Sequence, residues 1–427
     1  MKSQSFGTAV WQSLQRRWLI AAIFLGALLT QIAFLVLLPD SARANQSTDF
    51  TDYYSPVAQH LLSGQSLTDG AGNFATLYPP GYPVFLAGSF WLADRFAADR
   101  THFVIFLNTL LFGLGCLLVF WTAEVIFNSR VGLLASALWG TYIFNLWLIK
   151  QPNTEILFIP LFYGGVYCLT SAIEHRSIWM ALVCGFLVGL SALVRPMALL
   201  LVFLLAAAIL VRRTIELSQR MFLAAVLVGA FFITILPWEC DVYIHTREVV
   251  PLCTNGPSAM LDGLTFLRRT RDEGLPAPVV QFMNRAWSQH QDLKTTGAIL
   301  RYEFAELKRD PKAVLELTGL KIIRSWFGTD SRSFEYPILL VQLFYLSLGA
   351  LGLSVAWRRF RERRYYVELF VVLVLYFWGM TILALSILRY MVPVMAYLLI
   401  PGAVAIDAYF LRGRKVGEAQ AQTRQGS

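Results

Sequence analysis

Asp49 and Asp52 stand three residues apart, just ahead of the apolar positions Val57, Leu61 and Leu62, so both carboxylates can share one helical face. A carboxylate in a partly dehydrated site titrates higher than in water and can take the proton of an attacking hydroxyl or amine. Asp is equally suited to capping a helix, so the pair reads either way. Arg195 and Arg389 each stand at the edge of a long apolar run. A guanidinium there can hold a phosphate through two parallel hydrogen bonds, or simply snorkel to the interface. Arg324 and Arg332 are further candidates of the same kind. Lys150 and Glu155 bracket Gln151-Pro152-Asn153-Thr154. Glu155 could reach a sugar hydroxyl or a metal, or complement a helix dipole. Tyr78 and Tyr82, in Tyr78-Pro79-Pro80-Gly81-Tyr82-Pro83, suit stacking on a sugar or a place in an aromatic belt.

The elements that must position these groups follow from composition. Of 427 residues 56% are hydrophobic and 15% charged, far below the roughly 25% charge of soluble domains. Apolar runs recur at 19–38, 103–126, 131–149, 156–173, 178–194, 196–211, 221–238, 337–357, 366–387 and 391–410. Runs of about 20 residues match the hydrocarbon thickness, and backbone groups in lipid must be satisfied within a helix. The expected fold is an all-α polytopic membrane protein with about ten transmembrane helices. The run Tyr82 to Leu92 is too short to cross and begins at a Pro-Pro-Gly turn, so it reads as an interfacial helix in the first outer loop.

Charge fixes the expected orientation. With the amino terminus inside and Tyr82–Leu92 not crossing, short inside segments hold sixteen Lys and Arg, among them Lys2, Arg16, Arg17, Arg130, Arg358, Arg412, Arg414 and Lys415. The short outside segments hold six: Arg43, Arg95, Arg100, Lys150, Arg195 and Arg389. That asymmetry obeys the positive-inside rule, and an extra crossing would reverse it downstream. Both termini are thus expected in the cytoplasm, with the first run retained as an anchor. The parts are a cytoplasmic tail 1–18, a transmembrane catalytic module 19–238 with outer loop 39–101, an outer-face subdomain 239–335, transmembrane helices 336–410 and a cytoplasmic tail 411–427. Within the subdomain, Ala305, Leu307, Val314, Leu315, Leu317 and Leu320 have helical spacing and read as packing residues. Cys240 and Cys253 share this segment, where a disulfide could persist.

In order along the chain, Asp49-Phe50, Tyr53-Tyr54, Ala58, Leu61-Leu62 and Gly64 are followed by Tyr78 to Pro83, Gln151 to Glu155, Leu193-Val194-Arg195-Pro196 and Arg389 to Pro393. This series resembles the polyprenyl-phosphate-sugar-dependent glycosyltransferases of the GT-C superfamily, in particular the bacterial relatives of protein mannosyltransferases and lipid A aminoarabinose transferases. It departs from the aminoarabinose branch at Tyr78, where that branch typically has Lys, and Cys253-Thr254-Asn255-Gly256 fits no subfamily pattern. The resemblance implies a GT-C bundle in a bacterial plasma (inner) membrane with its active site facing outside. It places Asp49 at the family's catalytic carboxylate, with Asp52 as neighbour or substitute. The expected substrates are a polyprenyl-phosphate-linked sugar and an acceptor glycan, lipid or protein, with membrane lipids as the other partner. Displacement at an anomeric carbon needs a base for the acceptor and cations for the departing phosphate, which suits this residue set.

Other chemistries find less support. His60, His102, His175, His245 and His290 are dispersed and suggest no zinc site, though Asp49, Asp52 and Glu155 could ligate a hard divalent cation. There is no Walker motif or nucleotide-binding glycine loop. The net charge of +9 is accounted for by inner loops rather than by a nucleic-acid partner. The alternative is a transporter or flippase of lipid-linked sugars, but such proteins carry internal repeats and mid-span charges that are scarce here.

Overall fold

The structure is a computed structural model that describes residues 3–43, 45–265, 274–330, 332 and 334–411. Lys2, Arg412, Arg414, Lys415 and the polar tail after Val416 lie outside the described residues. In chain order the helices are α1 (Ser3–Leu37), α2 (Asp40–Arg43), α3 (Ser55–Leu62), α4 (Gly81–Arg95), α5 (Arg100–Ile126), α6 (Ser129–Gly140), α7 (Ile143–Ile149), α8 (Thr154–His175) and α9 (Ile178–Val194). They continue as α10 (Leu201–Val211), α11 (Leu217–Thr246), α12 (Gly256–Thr265), α13 (Ala277–Ser288), α14 (Thr296–Arg309), α15 (Pro311–Arg324), α16 (Glu335–Arg359), α17 (Arg364–Leu383) and α18 (Ala396–Ile406).

Each of the ten apolar runs is a helix or a helix broken once. Among the described residues six helices are long and apolar enough to cross a membrane, and up to eight if each bent pair is one span. The bent pairs are α6 with α7, at 58°, and Leu388–Val394 with α18, at 55°. Pro393 removes a backbone donor inside the second break. The helices α9 and Pro196–Val211 are apolar but shorter. The chain is thus a multi-pass membrane protein, and its span count falls short of ten on length alone because two runs bend and two are short. Helix α4, with 15 residues, covers the run Tyr82–Leu92 and packs on α3, α5 and α9.

Helices α6, α5, α8, α9 and α11 pack in succession, and α16 lies along α18. Between α11 and α16, a second apolar cluster is built from α12 to α15, with Phe282, Met283, Ile299, Tyr302 and Leu317 at its centre. The Arg285 guanidinium donates two hydrogen bonds to Glu306, at 3.0 and 2.6 Å, and so satisfies a carboxylate buried beside that cluster. The packing face of α14 differs from the expected one. On α14 Ala305 and Leu307 face outward while Ile299, Tyr302 and Glu306 turn inward, and on α15 Leu315 faces outward while Leu317 is buried. The spacing of apolar residues alone could not show which of two apolar stripes on α14 finds a partner. Cys240 is exposed and Cys253 partly buried, both as free thiols.

Candidate functional site

Glu155 opens α8 and is fully buried. A carboxylate there is costly unless paired, and two arginines from distant parts of the chain reach it. Arg195, at the end of α9, donates to Glu155 Oε1 at 2.6 Å and to Thr154 Oγ1 at 2.9 Å. Arg389 grips the same carboxylate in bidentate fashion, its Nε to Oε1 and its Nη2 to Oε2 at 2.9 Å. The Arg195 guanidinium also lies over the Tyr390 ring, 4.9 Å from its centroid. Two cations share one anion, so this buried cluster keeps a surplus positive charge suited to a second anionic group.

The segment between α2 and α4 lies beside these arginines. Phe50–Tyr54 forms a turn of π-helix that runs directly into α3. Asp49 precedes it in helical conformation, and its side chain makes no capping hydrogen bond. The carboxylate, half-buried, acts electrostatically on Tyr54, Tyr78 and Arg389, which places it within their neighbourhood. Tyr54 packs against Tyr78 and against Tyr82, each with ring centroids 5.1 Å apart. Tyr53 packs on Tyr78 at 5.1 Å, and its hydroxyl accepts the Tyr78 amide at 3.4 Å. Burial pushes the phenols of Tyr54 and Tyr78 well up, and Asp49 adds to both shifts. The Tyr82 hydroxyl is buried with no hydrogen-bond partner among the described residues, and it feels the charges of Glu155 and Arg389.

The two sequence pieces Tyr78–Pro83 and Leu193–Pro196 meet at Gly81. A Cβ on Gly81 would stand 2.7 Å from the Leu193 carbonyl oxygen, so only glycine lets α4 start against the last turn of α9, next to Arg195. Of the expected site residues, Asp49, Tyr78, Tyr82, Glu155, Arg195 and Arg389 therefore converge.

The remaining three are placed differently. Asp52 is exposed and accepts from Thr51 Oγ1 at 2.9 Å. The Lys150 ammonium is buried and donates to the Ala42 carbonyl at 2.7 Å and to Gln46 Oε1 at 3.3 Å, tying the loop after α7 to the segment that follows α1. Burial lowers its pKa. Arg324 pairs with Glu335 at 2.6 Å, at the start of α16. No three His, Cys, Asp or Glu among the described residues gather in metal-ligating geometry. Both oxygens of Glu155 are engaged by arginines, which does not fit the ligand set Asp49, Asp52 and Glu155. Thr154 and Tyr390 were not singled out from sequence, although each adjoins a candidate and the second lies in the quoted stretch Arg389 to Pro393.

Residues 78–238 match the family model described as dolichyl-phosphate-mannose-protein mannosyltransferase. Among solved structures, the archaeal oligosaccharyltransferase AglB from Archaeoglobus fulgidus, in complex with an inhibitory peptide and a dolichol-phosphate, matches with a TM-score of 0.59 over 95% of this chain at 12% identity. The fold is GT-C. The apo form of the Archaeoglobus fulgidus oligosaccharyltransferase matches with a TM-score of 0.58, at 12% identity over 94% of the chain. Its complex with Zn and sulfate gives 0.55, at 14% identity over 91%. The chain spans about half of each, covering 52%, 52% and 49% of their lengths. No curated protein matches the chain in sequence. The family-model match begins at Tyr78 and takes in Glu155 and Arg195, while Asp49 and Arg389 lie beyond its ends.

Proposed function

We propose that this protein is a membrane glycosyltransferase that moves a sugar from a polyprenyl-phosphate carrier to an acceptor on the outer face of the membrane. The observation that carries the reading is the pair Arg195 and Arg389 on the one carboxylate of Glu155, with the otherwise uncommitted carboxylate of Asp49 nearby. The family match and the GT-C fold support it, as does the dolichol-phosphate named in the AglB complex.

The reaction uses these groups as follows. The surplus positive charge holds the donor phosphate, and Tyr78, backed by the buried rings of Tyr54 and Tyr82, walls the sugar. The acceptor oxygen attacks the anomeric carbon as the carbon–oxygen bond to the phosphate breaks, with inversion. Asp49 takes the acceptor's proton, and the carrier leaves as polyprenyl phosphate, its added negative charge met by the arginines. Lys150 and Arg324 act as positioning residues in this scheme, and Asp52, exposed to solvent, is the substitute base only if the loop turns.

The test is turnover of a radiolabelled polyprenyl-phosphate-sugar by purified protein, with a membrane extract as source of acceptor. Asp49→Asn should lower the rate by about 10²–10⁴-fold while donor binding is kept, and Asp52→Asn should retain most of it. A wild-type protein that binds the donor yet leaves its sugar–phosphate bond intact with every acceptor would overturn the reading in favour of a transporter.

A further inference from the structure

Arg389 sits just beyond the loop that follows α17, where Ser386 Oγ donates to the Thr381 carbonyl at 3.2 Å. Helix α17 ends at Leu383, Ala384 caps it, and the chain runs through Leu385, Ser386 and Ile387 before Arg389. The surroundings of this loop come from α12, α15 and the segment after it. A Cβ on Gly263, in α12, would stand 2.0 Å from the Ala384 carbonyl oxygen and 3.0 Å from the Lys321 Nζ. The backbone of the loop and the ammonium of Lys321, from α15, therefore share the space that glycine leaves open. Gly328 makes a second seat, since its Cβ would fall 3.0 Å from the Ser386 carbonyl oxygen. Its own carbonyl accepts the Leu388 amide at 2.9 Å. Trp378 of α17 donates to the Ile322 carbonyl at 3.0 Å, which fixes α15 against the same helix end.

Lys321 is buried at the C-terminal end of α17, a helix with no basic residue in its last turn. A cation is favourable at that end, where carbonyls lack helical partners. We propose that Gly263 and Lys321 are positioning residues for Arg389: the α12–α15 unit holds the 384–388 loop, and through it the guanidinium that grips Glu155. Among charged groups Glu303 on α14 acts electrostatically on Lys321; Asp262 adjoins Gly263 on α12 and Arg324 follows three positions on along α15, and α17 offers no acid or base in its last turn. Burial, opposed in part by Glu303, pushes the Lys321 ammonium down from 10.5 to about 8. It is charged below that value and neutral above it, so its hold on the α17 end weakens through about pH 8. The linkage has the opposite sign. The folded pKa lies below the unfolded one, so the unfolded chain binds more protons between the two values and stability rises with pH across that window.

The kinetic arm of the test rests on the transferase reading, and a second arm does not. In full-length protein in nanodiscs, amide hydrogen exchange over residues 384–391 should speed up by about tenfold in Gly263→Ala and in Lys321→Met. Gly319→Ala, on the open face of α15 with nothing near its Cβ, should leave exchange unchanged. In the turnover assay Lys321→Met should lose about tenfold or more and lack an alkaline limb near pH 8, whereas Lys321→Arg should restore the rate and move the limb upward. Unchanged exchange over 384–391 in both variants would overturn the inference whether or not the protein proves to be a transferase. An active enzyme whose Lys321→Met variant kept the wild-type pH profile would overturn it as well. Should Lys321→Met fail to fold, Gly263→Ala decides by the same exchange measurement.

Discussion

Replacing Glu155 by Gln would leave two guanidinium groups side by side with no carboxylate between them. Removing one partner of a buried ionic cluster costs about 3–5 kcal/mol, so Glu155→Gln should lower the unfolding midpoint of the detergent-solubilised protein sharply. Arg389→Lys keeps the charge but not the planar fork, and is expected to fold while losing about tenfold or more in donor turnover. A fall in stability for the first and in rate for the second separates holding the site together from using it. Residue type and order along the chain singled out Asp49, Tyr78, Tyr82, Glu155, Arg195 and Arg389 as candidates, and the fold brings these six together. Type and order did not show that Glu155 would bind both arginines, because a pairing across 234 positions leaves no local trace. Lys321 also escaped notice, although it occupies the inward stripe of α15 with Ala313 and Leu317, where an ammonium needs a reason to be.

At the scale of elements, apolar length was the readable quantity and helix breaks were not. Nothing in Thr141-Tyr142 forecasts a 58° bend between α6 and α7, since no proline stands there to withdraw a hydrogen bond. The cluster Pro79-Pro80-Gly81-Tyr82-Pro83 is explained only by its partner element. Pro80 caps α4, and Gly81 admits the Leu193 carbonyl. A methyl group at this position would force α4 away from the end of α9 and drag Tyr82 and Arg195 out of register. Gly81→Ala should therefore reduce turnover by about 10²-fold, a cost typical of misplacing catalytic groups by about 1 Å. The check is a rate measurement on variants matched for their unfolding midpoint. Gly88→Ala, later on the same helix and with open space around it, is the control and should be near neutral.

For the whole molecule, the sidedness drawn from the Lys and Arg of the loops has a direct probe in the cysteines. Cys240 is exposed, while Cys116, Cys168 and Cys184 are buried. If the segment after α11 faces outward, a membrane-impermeant maleimide should label Cys240 on intact cells and leave a Cys240→Ser variant largely unmarked. Labelling only after the membrane is permeabilised would reverse the proposed orientation. The α12–α15 unit with its own apolar cluster would then lie on the cytoplasmic side, together with the Asp49 loop.

Helix α9, which carries Arg195 just past its end, has 17 residues, a length of about 25 Å at 1.5 Å per residue. That is less than the roughly 30 Å of an ordinary bilayer's hydrocarbon. Lipid beside a short span relaxes by thinning, at a cost of fractions of a kcal/mol per Å. A dimple in the leaflet at this spot brings the headgroup plane toward the depth of the arginines. A carrier diffusing in the membrane would then present its phosphate sideways from the bilayer, without having to rise out of it.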